Sequence, residues 1–105
     1  MNEIINKYIQ HARMSANIPC FPPDIAMLVI RECKAQGVPI YGIDAVKITD
    51  TYTQPYMEHS IDYTAFPYTN AILDANWEDA IQFIESKAHL GLYFEIVIPI
   101  EYNSN

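Results

Sequence analysis

The chain has 105 residues, half of them apolar and 18% charged, with 13 Asp and Glu against 6 Lys and Arg for a net charge of −7. That length and apolar content fit one folded domain over residues 1–105 and exclude a disordered chain. Six basic residues leave little to neutralise phosphates or anionic lipid, so direct binding to nucleic acid or to a membrane surface is not expected.

Residues 2–16 place Ile4, Ile5, Tyr8, Ile9 and Ala12 on one stripe at helical spacing, predicting a first helix. Pro19, Pro22 and Pro23 then stop it. A second helix is expected from Asp24, an N-cap type of residue, to Gln36, with Gly37 at its C-terminal cap. Its apolar run over 25–30 makes it the most buried helix. Residues 38–49 read as a strand, with Val38, Ile40, Val46 and Ile48 on one parity, Tyr41, Ile43 and Ala45 on the other, and a bend at Gly42.

Residues 50–70 carry no obvious element. A stretch this long without structure is unusual in a compact domain, so it is expected to be functional or to hide strands, with a hairpin or irregular flap around Pro55. Residues 74–90 predict a third helix, with Asn76 and Asp79 as a capping pair and Trp77, Ala80, Ile81, Ile84 and Ala88 on its buried face. Residues 92–102 alternate as a strand that puts Leu92, Phe94, Ile96, Ile98 and Ile100 on one side. Pro99 places that strand at an edge or marks where it leaves the sheet. The tail from 102 to 105 is polar and expected to fray. The predicted fold is α+β: three helices on one face of a small, mainly antiparallel sheet.

No apolar run approaches the ~20 residues of a membrane span, and the N-terminal residues lack the pattern of a signal peptide, so a cytoplasmic location is expected. Cys20 and Cys33 form no metal or redox spacing; Cys33 reads as a buried helical thiol, while Cys20 is expected to be the more exposed. Three glycines cannot build a phosphate-binding loop, and no cofactor is implied. His11 and His89 have no sequence neighbour that would make a catalytic pair. Glu58, His59 and Asp62 are the one local cluster compatible with acid–base or metal chemistry, but a solvated acidic loop explains them as well, and no metal-ligand spacing accompanies them.

The charge is uneven. Residues 1–43 carry a net of +1 and residues 44–105 a net of −8. Within the acidic part, Tyr52, Tyr56, Tyr63, Phe66 and Tyr68 interleave with Asp50, Glu58 and Asp62. Tyrosines give stiff contact area with a hydrogen-bonding tip, and carboxylates around them steer a basic partner. Asp50, Tyr52, Tyr56, Glu58, Asp62, Tyr63 and Tyr68 are therefore the candidate contact residues, with Glu95 and Glu101 adding to the surface. At least two of the rings are expected to be core instead.

Four pieces, read in order, carry a resemblance: Gly37-Val38-Pro39-Ile40-Tyr41-Gly42-Ile43, Ser60-Ile61-Asp62-Tyr63, Trp77-Glu78-Asp79-Ala80, and Phe94-Glu95-Ile96-Val97. Spanning roughly residues 37 to 98, they resemble the small immunity proteins of bacterial polymorphic-toxin and contact-dependent growth inhibition systems. The resemblance implies a protein without enzymatic activity. It implies a partner as well: a cognate toxin C-terminal domain, often a nuclease with a basic surface, which the immunity protein blocks in the producing cell. It assigns no contact residues. Two other readings stand beside it. One is a small hydrolase or metal-dependent enzyme using His59 with Glu58 or Asp62; the other is an assembly adaptor that pairs the 92–102 edge strand across a dimer. The expected state is a monomer or weak homodimer.

Overall fold

The computed structural model describes residues 2–63 and 70–99. The fold is α+β, with three helices, a two-stranded antiparallel sheet and a three-stranded antiparallel sheet. Helix α1 spans Glu3–Lys7; strands β1 (Arg13–Ser15) and β2 (Ile18–Cys20) form a hairpin; α2 spans Pro23–Gln36; β3 is Gly42–Ile48 and β4 is Thr53–Asp62; α3 is Asn70–Lys87 and β5 is Tyr93–Val97. In the larger sheet β3 is central, with β4 on one side and β5 on the other.

The first helix is much shorter than its apolar stripe predicts. Asn2 caps it by accepting from the Ile4 amide at 2.7 Å, and Ile4 and Ile5 are buried, but the helix ends at Lys7 and passes into a 3-10 turn over Ile9–His11. Ala12 is extended and Arg13 pairs with Cys20, so the stripe's last residues are drawn into the hairpin. Both turn residues, Ala16 (φ 49°) and Asn17 (φ 68°), are left-handed. This backbone closes a two-residue hairpin with the twist its strands need, at a steric cost where Ala has a Cβ. Ala16→Gly is therefore expected to raise stability by about 1 kcal/mol, read as a shift of the urea midpoint at constant slope.

Helix α2 follows its prediction closely. Pro23 opens it, Gly37 closes it at φ 73°, and Val38 donates to the Cys33 carbonyl at 2.8 Å. Asp24 lies in the first turn, not at the cap. Strand β3 is shorter than expected: residues 38–41 run extended into it, and Ile40 then Ile43 are both fully buried, so the inward parity switches across Tyr41 and Gly42. β5 keeps the predicted alternation, with Leu92, Phe94, Ile96 and Ile98 buried. It is an edge strand of the sheet, although Phe21 and Phe94 exchange two backbone hydrogen bonds of 2.8 Å along its outer side. That bridge occupies backbone groups that the adaptor reading would use for pairing across a dimer. Residues 100–105, including Ile100, Glu101 and the tail, lie outside the described residues.

The core is a single cluster between the helices and one face of the sheet, built on Phe21, Val29, Ile30, Ile40, Ile43, Ile84 and Phe94. Both thiols are buried, Cys20 at 1% exposure and Cys33 at 0%, so the expectation of a more exposed Cys20 does not hold. Burial pushes their pKa values up to about 11 and about 12, which keeps them as unreactive thiols.

Helix α3 starts at Asn70, before its predicted start, and Asn76 is no cap. Its side chain lies in the interior, where Oδ1 accepts from the Ile40 amide at 2.9 Å and Nδ2 donates to the Ile40 carbonyl at 3.0 Å. Beside it, Trp77 Nε1 donates to the Val38 carbonyl at 2.8 Å. These three bonds help satisfy the buried backbone of the α2–β3 connection. Among the described residues, no helix is long and apolar enough to cross a membrane.

Candidate functional site

The segment of unclear structure, residues 50–70, holds β4. Its turn is at Thr49–Tyr52, not around Pro55. Thr49 donates its amide to the Tyr52 carbonyl at 2.9 Å, while its Oγ1 accepts from the amides of Thr51 and Tyr52 at 3.3 and 3.1 Å. Pro55 sits within β4, opposite Val46. Among the described residues β4 has a strand neighbour only on its β3 side, where a residue without an N–H is tolerated.

β4 is interrupted by a large bulge. Ile61 pairs with Ile43 and Tyr56 with Ala45, so Asp44 alone on β3 faces the whole of 57–60 on β4. Ser60 closes the gap: its Oγ accepts from the Ala45 amide at 3.0 Å and donates to the Tyr56 carbonyl at 2.9 Å, standing in for the missing ladder bonds. A bulge of this kind re-aims side chains and blunts an edge strand against pairing with another strand. Here it pushes Met57 outward to 80% exposure, with Glu58 and His59 beside it.

The structure separates the predicted contact residues. Asp50 and Tyr52 lie at the β3–β4 turn, both exposed, with Asp50 pairing to Arg13 at 3.0 Å. Glu58 projects from the bulge and Asp62 lies at the far end of β4, exposed. Tyr56 is half-buried against the core. Tyr63 is a correction: it is buried, and its hydroxyl donates to Asp79 Oδ2 at 2.5 Å, so the ring is a core element and not a contact surface. Burial and the neighbouring Asp79 carboxylate both push its pKa far up, keeping it a neutral donor. Tyr68 and Phe66 lie outside the described residues.

The sheet face turned away from the helices carries the acids that the sequence did not assign together. Asp44 on β3 stands directly opposite Glu95 on β5. Like charges placed opposite each other are destabilising. The Glu95 carboxyl is accordingly held above its ordinary value, first by burial and then by the charge and hydrogen bond of Asp44. Among the described residues neither acid has a Lys or Arg partner. The third titratable group beside them, Cys20, stays neutral. A raised folded-state pKa means that protonation favours the folded state, so this pair costs stability as pH rises above the ordinary Glu value of 4.5. Glu95→Gln is expected to stabilise by about 0.5 kcal/mol at pH 7, with the difference vanishing in acid; urea melts at both pH values check it.

Next to Asp44 is a cleft of about 370 Å3, lined by Tyr41, Gly42, Asp44, Met57, Ser60, Ile61, Asp62 and Val97. Gly42 forms part of its floor. A Cβ there would lie 3.0 Å from the Ile61 carbonyl oxygen, so the close approach of β3 and β4 needs this glycine. Neither Asp44 nor Met57 is among the contact residues that the sequence offers. The available signal was a lone acid in the apolar run Gly42-Ile43-Asp44-Ala45-Val46.

His59 turns the other way, toward Lys47, Leu90 and Leu92. Its ring is 6.2 Å from that of Tyr56, its Nδ1 is buried without a hydrogen-bond partner among the described residues, and its Nε2 is 3.9 Å from Glu58 Oε1. That separation exceeds hydrogen-bond reach. Among the described residues, no group of three His, Cys, Asp or Glu side chains is placed to hold a metal ion.

No protein-family model matches this chain, and no curated protein does. The four pieces that carry the immunity-protein resemblance are nevertheless linked within the fold. Trp77 bonds to Val38, Tyr63 to Asp79 through its hydroxyl and to the Tyr41 carbonyl through its amide, and the Tyr41 amide to the Val97 carbonyl. Their physical role is to join α3, the α2–β3 connection and the sheet into one scaffold.

Proposed function

We propose that this protein binds and neutralises a basic toxin domain, a nuclease in the first instance, by covering the positive surface that the toxin uses for its substrate. The observation that carries this reading is the helix-free sheet face with its β4 rim. Asp44, Glu58 and Glu95 have no Lys or Arg partner among the described residues, and Met57 stands exposed in the cleft that Asp44 lines. Acids left without internal cations, around an exposed apolar side chain, suit a partner that supplies the cations. The motif resemblance supports the same class of partner. The bulge argues for docking by side chains on the face and rim rather than by strand addition at the β4 edge.

The test is co-expression with the toxin domain encoded beside this chain. Rescue of growth together with a co-eluting complex is the expected result. Unrescued cells with no complex would overturn the reading.

A further inference from the structure

We propose that the cleft beside Asp44 is a subsite for one arginine side chain of the partner, its guanidinium against Asp44 and Asp62 and its stem against Met57 and Val97. The inference rests on the basic-partner reading and names the group that enters.

Three features of the cleft select this occupant. Its size, about 370 Å3, falls within the ~300–1,000 Å3 of small-ligand sites and so accommodates an extended side chain. Its walls are partly apolar, with Met57 and Val97 available to the methylene stem, while both of its charged lining residues are acids. Its floor at Gly42 is backbone, where a Cβ would meet the Ile61 carbonyl oxygen at 3.0 Å, so no side chain rises into the cleft from that position. Arg suits this mixture better than Lys. The guanidinium is planar and weakly hydrated, and presents several donors at fixed angles to more than one carboxylate. Met57, polarizable and flexible, adapts its packing to the incoming stem.

The energetics of the empty face point the same way. Asp44 and Glu95 are like charges held opposite each other and partly buried, and among the described residues no cation offsets them. An entering guanidinium relieves that repulsion, so the same pair that weakens the isolated protein strengthens the complex.

The experiment titrates the full chain with N-acetyl-L-arginine amide and follows backbone amide signals by NMR, with N-acetyl-L-norleucine amide as the apolar control. Saturable shifts confined to Gly42, Asp44, Met57 and Val97 are expected. Affinity should fall about tenfold or more in Asp44→Asn, and severalfold in Met57→Ala, a surface change that leaves the core intact. The norleucine probe should give no saturable shift. Absence of saturation, unchanged affinity in Asp44→Asn, or equal binding of norleucine would overturn the subsite. Growth rescue without arginine binding would overturn the subsite alone and leave the toxin-binding reading in place. Arginine binding without rescue supports the subsite and removes the toxin as its source.

Discussion

Replacing Asn76 by Ala is expected to lower stability by about 3 kcal/mol, although Asn76 is a polar residue in a helix that periodicity alone would treat as tolerant. Its side chain satisfies both the amide and the carbonyl of Ile40 inside the protein. Truncation removes both bonds from a buried stretch of backbone, at roughly 1–3 kcal/mol each, offset in part where water enters or where another interaction of Ile40 holds. Asn76→Asp should not recover the loss at pH 7, because it buries a charge and sets a carboxylate oxygen against the Ile40 carbonyl. Denaturant unfolding checks both, and a shift in midpoint at unchanged slope assigns the effect to the folded state.

Reversing Asp50, Glu58 and Asp62 together to Lys is expected to slow association with the basic partner by about 10–100-fold at low salt, and to flatten the dependence of that rate on ionic strength. Each reversal adds two charges, taking the net from −7 to −1. The single reversals separate steering from folding. Glu58, with its side chain 71% exposed, is the cleanest probe of charge, whereas Asp50 pairs with Arg13 and Asp62 also interacts within the chain. Stopped-flow association at several salt concentrations reads the effect. Equal rates for the wild type and the triple variant would move the docking surface off β4.

These two variants divide the residues as the fold does. Val38 with Trp77, Ile40 with Asn76, and Tyr63 with Asp79 are bonded pairs that hold the scaffold, whereas Asp50, Glu58 and Asp62 stand exposed along β4 and its turn. Sequence periodicity sufficed for α2, for the inward face of β5 and for the glycine stops at Gly37 and Gly91, because these depend on neighbours three or four residues away, or on a backbone angle that glycine adopts freely. It misplaced the first helix because pairing of Arg13 with Cys20 competes with the helical stripe. It left β4 unassigned because that strand's register is set by a side chain, Ser60, bonded to a different strand. Tyr63 illustrates the same limit. Its residue type is that of an interface residue, and its place in the core rests on contacts distant in sequence, the Asp79 carboxylate sixteen positions away among them.

The candidate site was legible in part. Charge asymmetry located the acidic half, and Asp50, Tyr52, Glu58 and Asp62 are exposed as expected. The pairing of Asp44 with Glu95 was not legible, because the two lie fifty-one positions apart and meet only through the β3–β5 register.

Amide hydrogen exchange on the complex with the basic toxin domain proposed as its partner tests the central claim most directly. Docking on the helix-free face predicts added protection over residues 42–44 and Thr53–Asp62, with the exposed side of α2 unchanged. Protection confined to α2 and α3, with β4 exchanging as in the isolated protein, would contradict it.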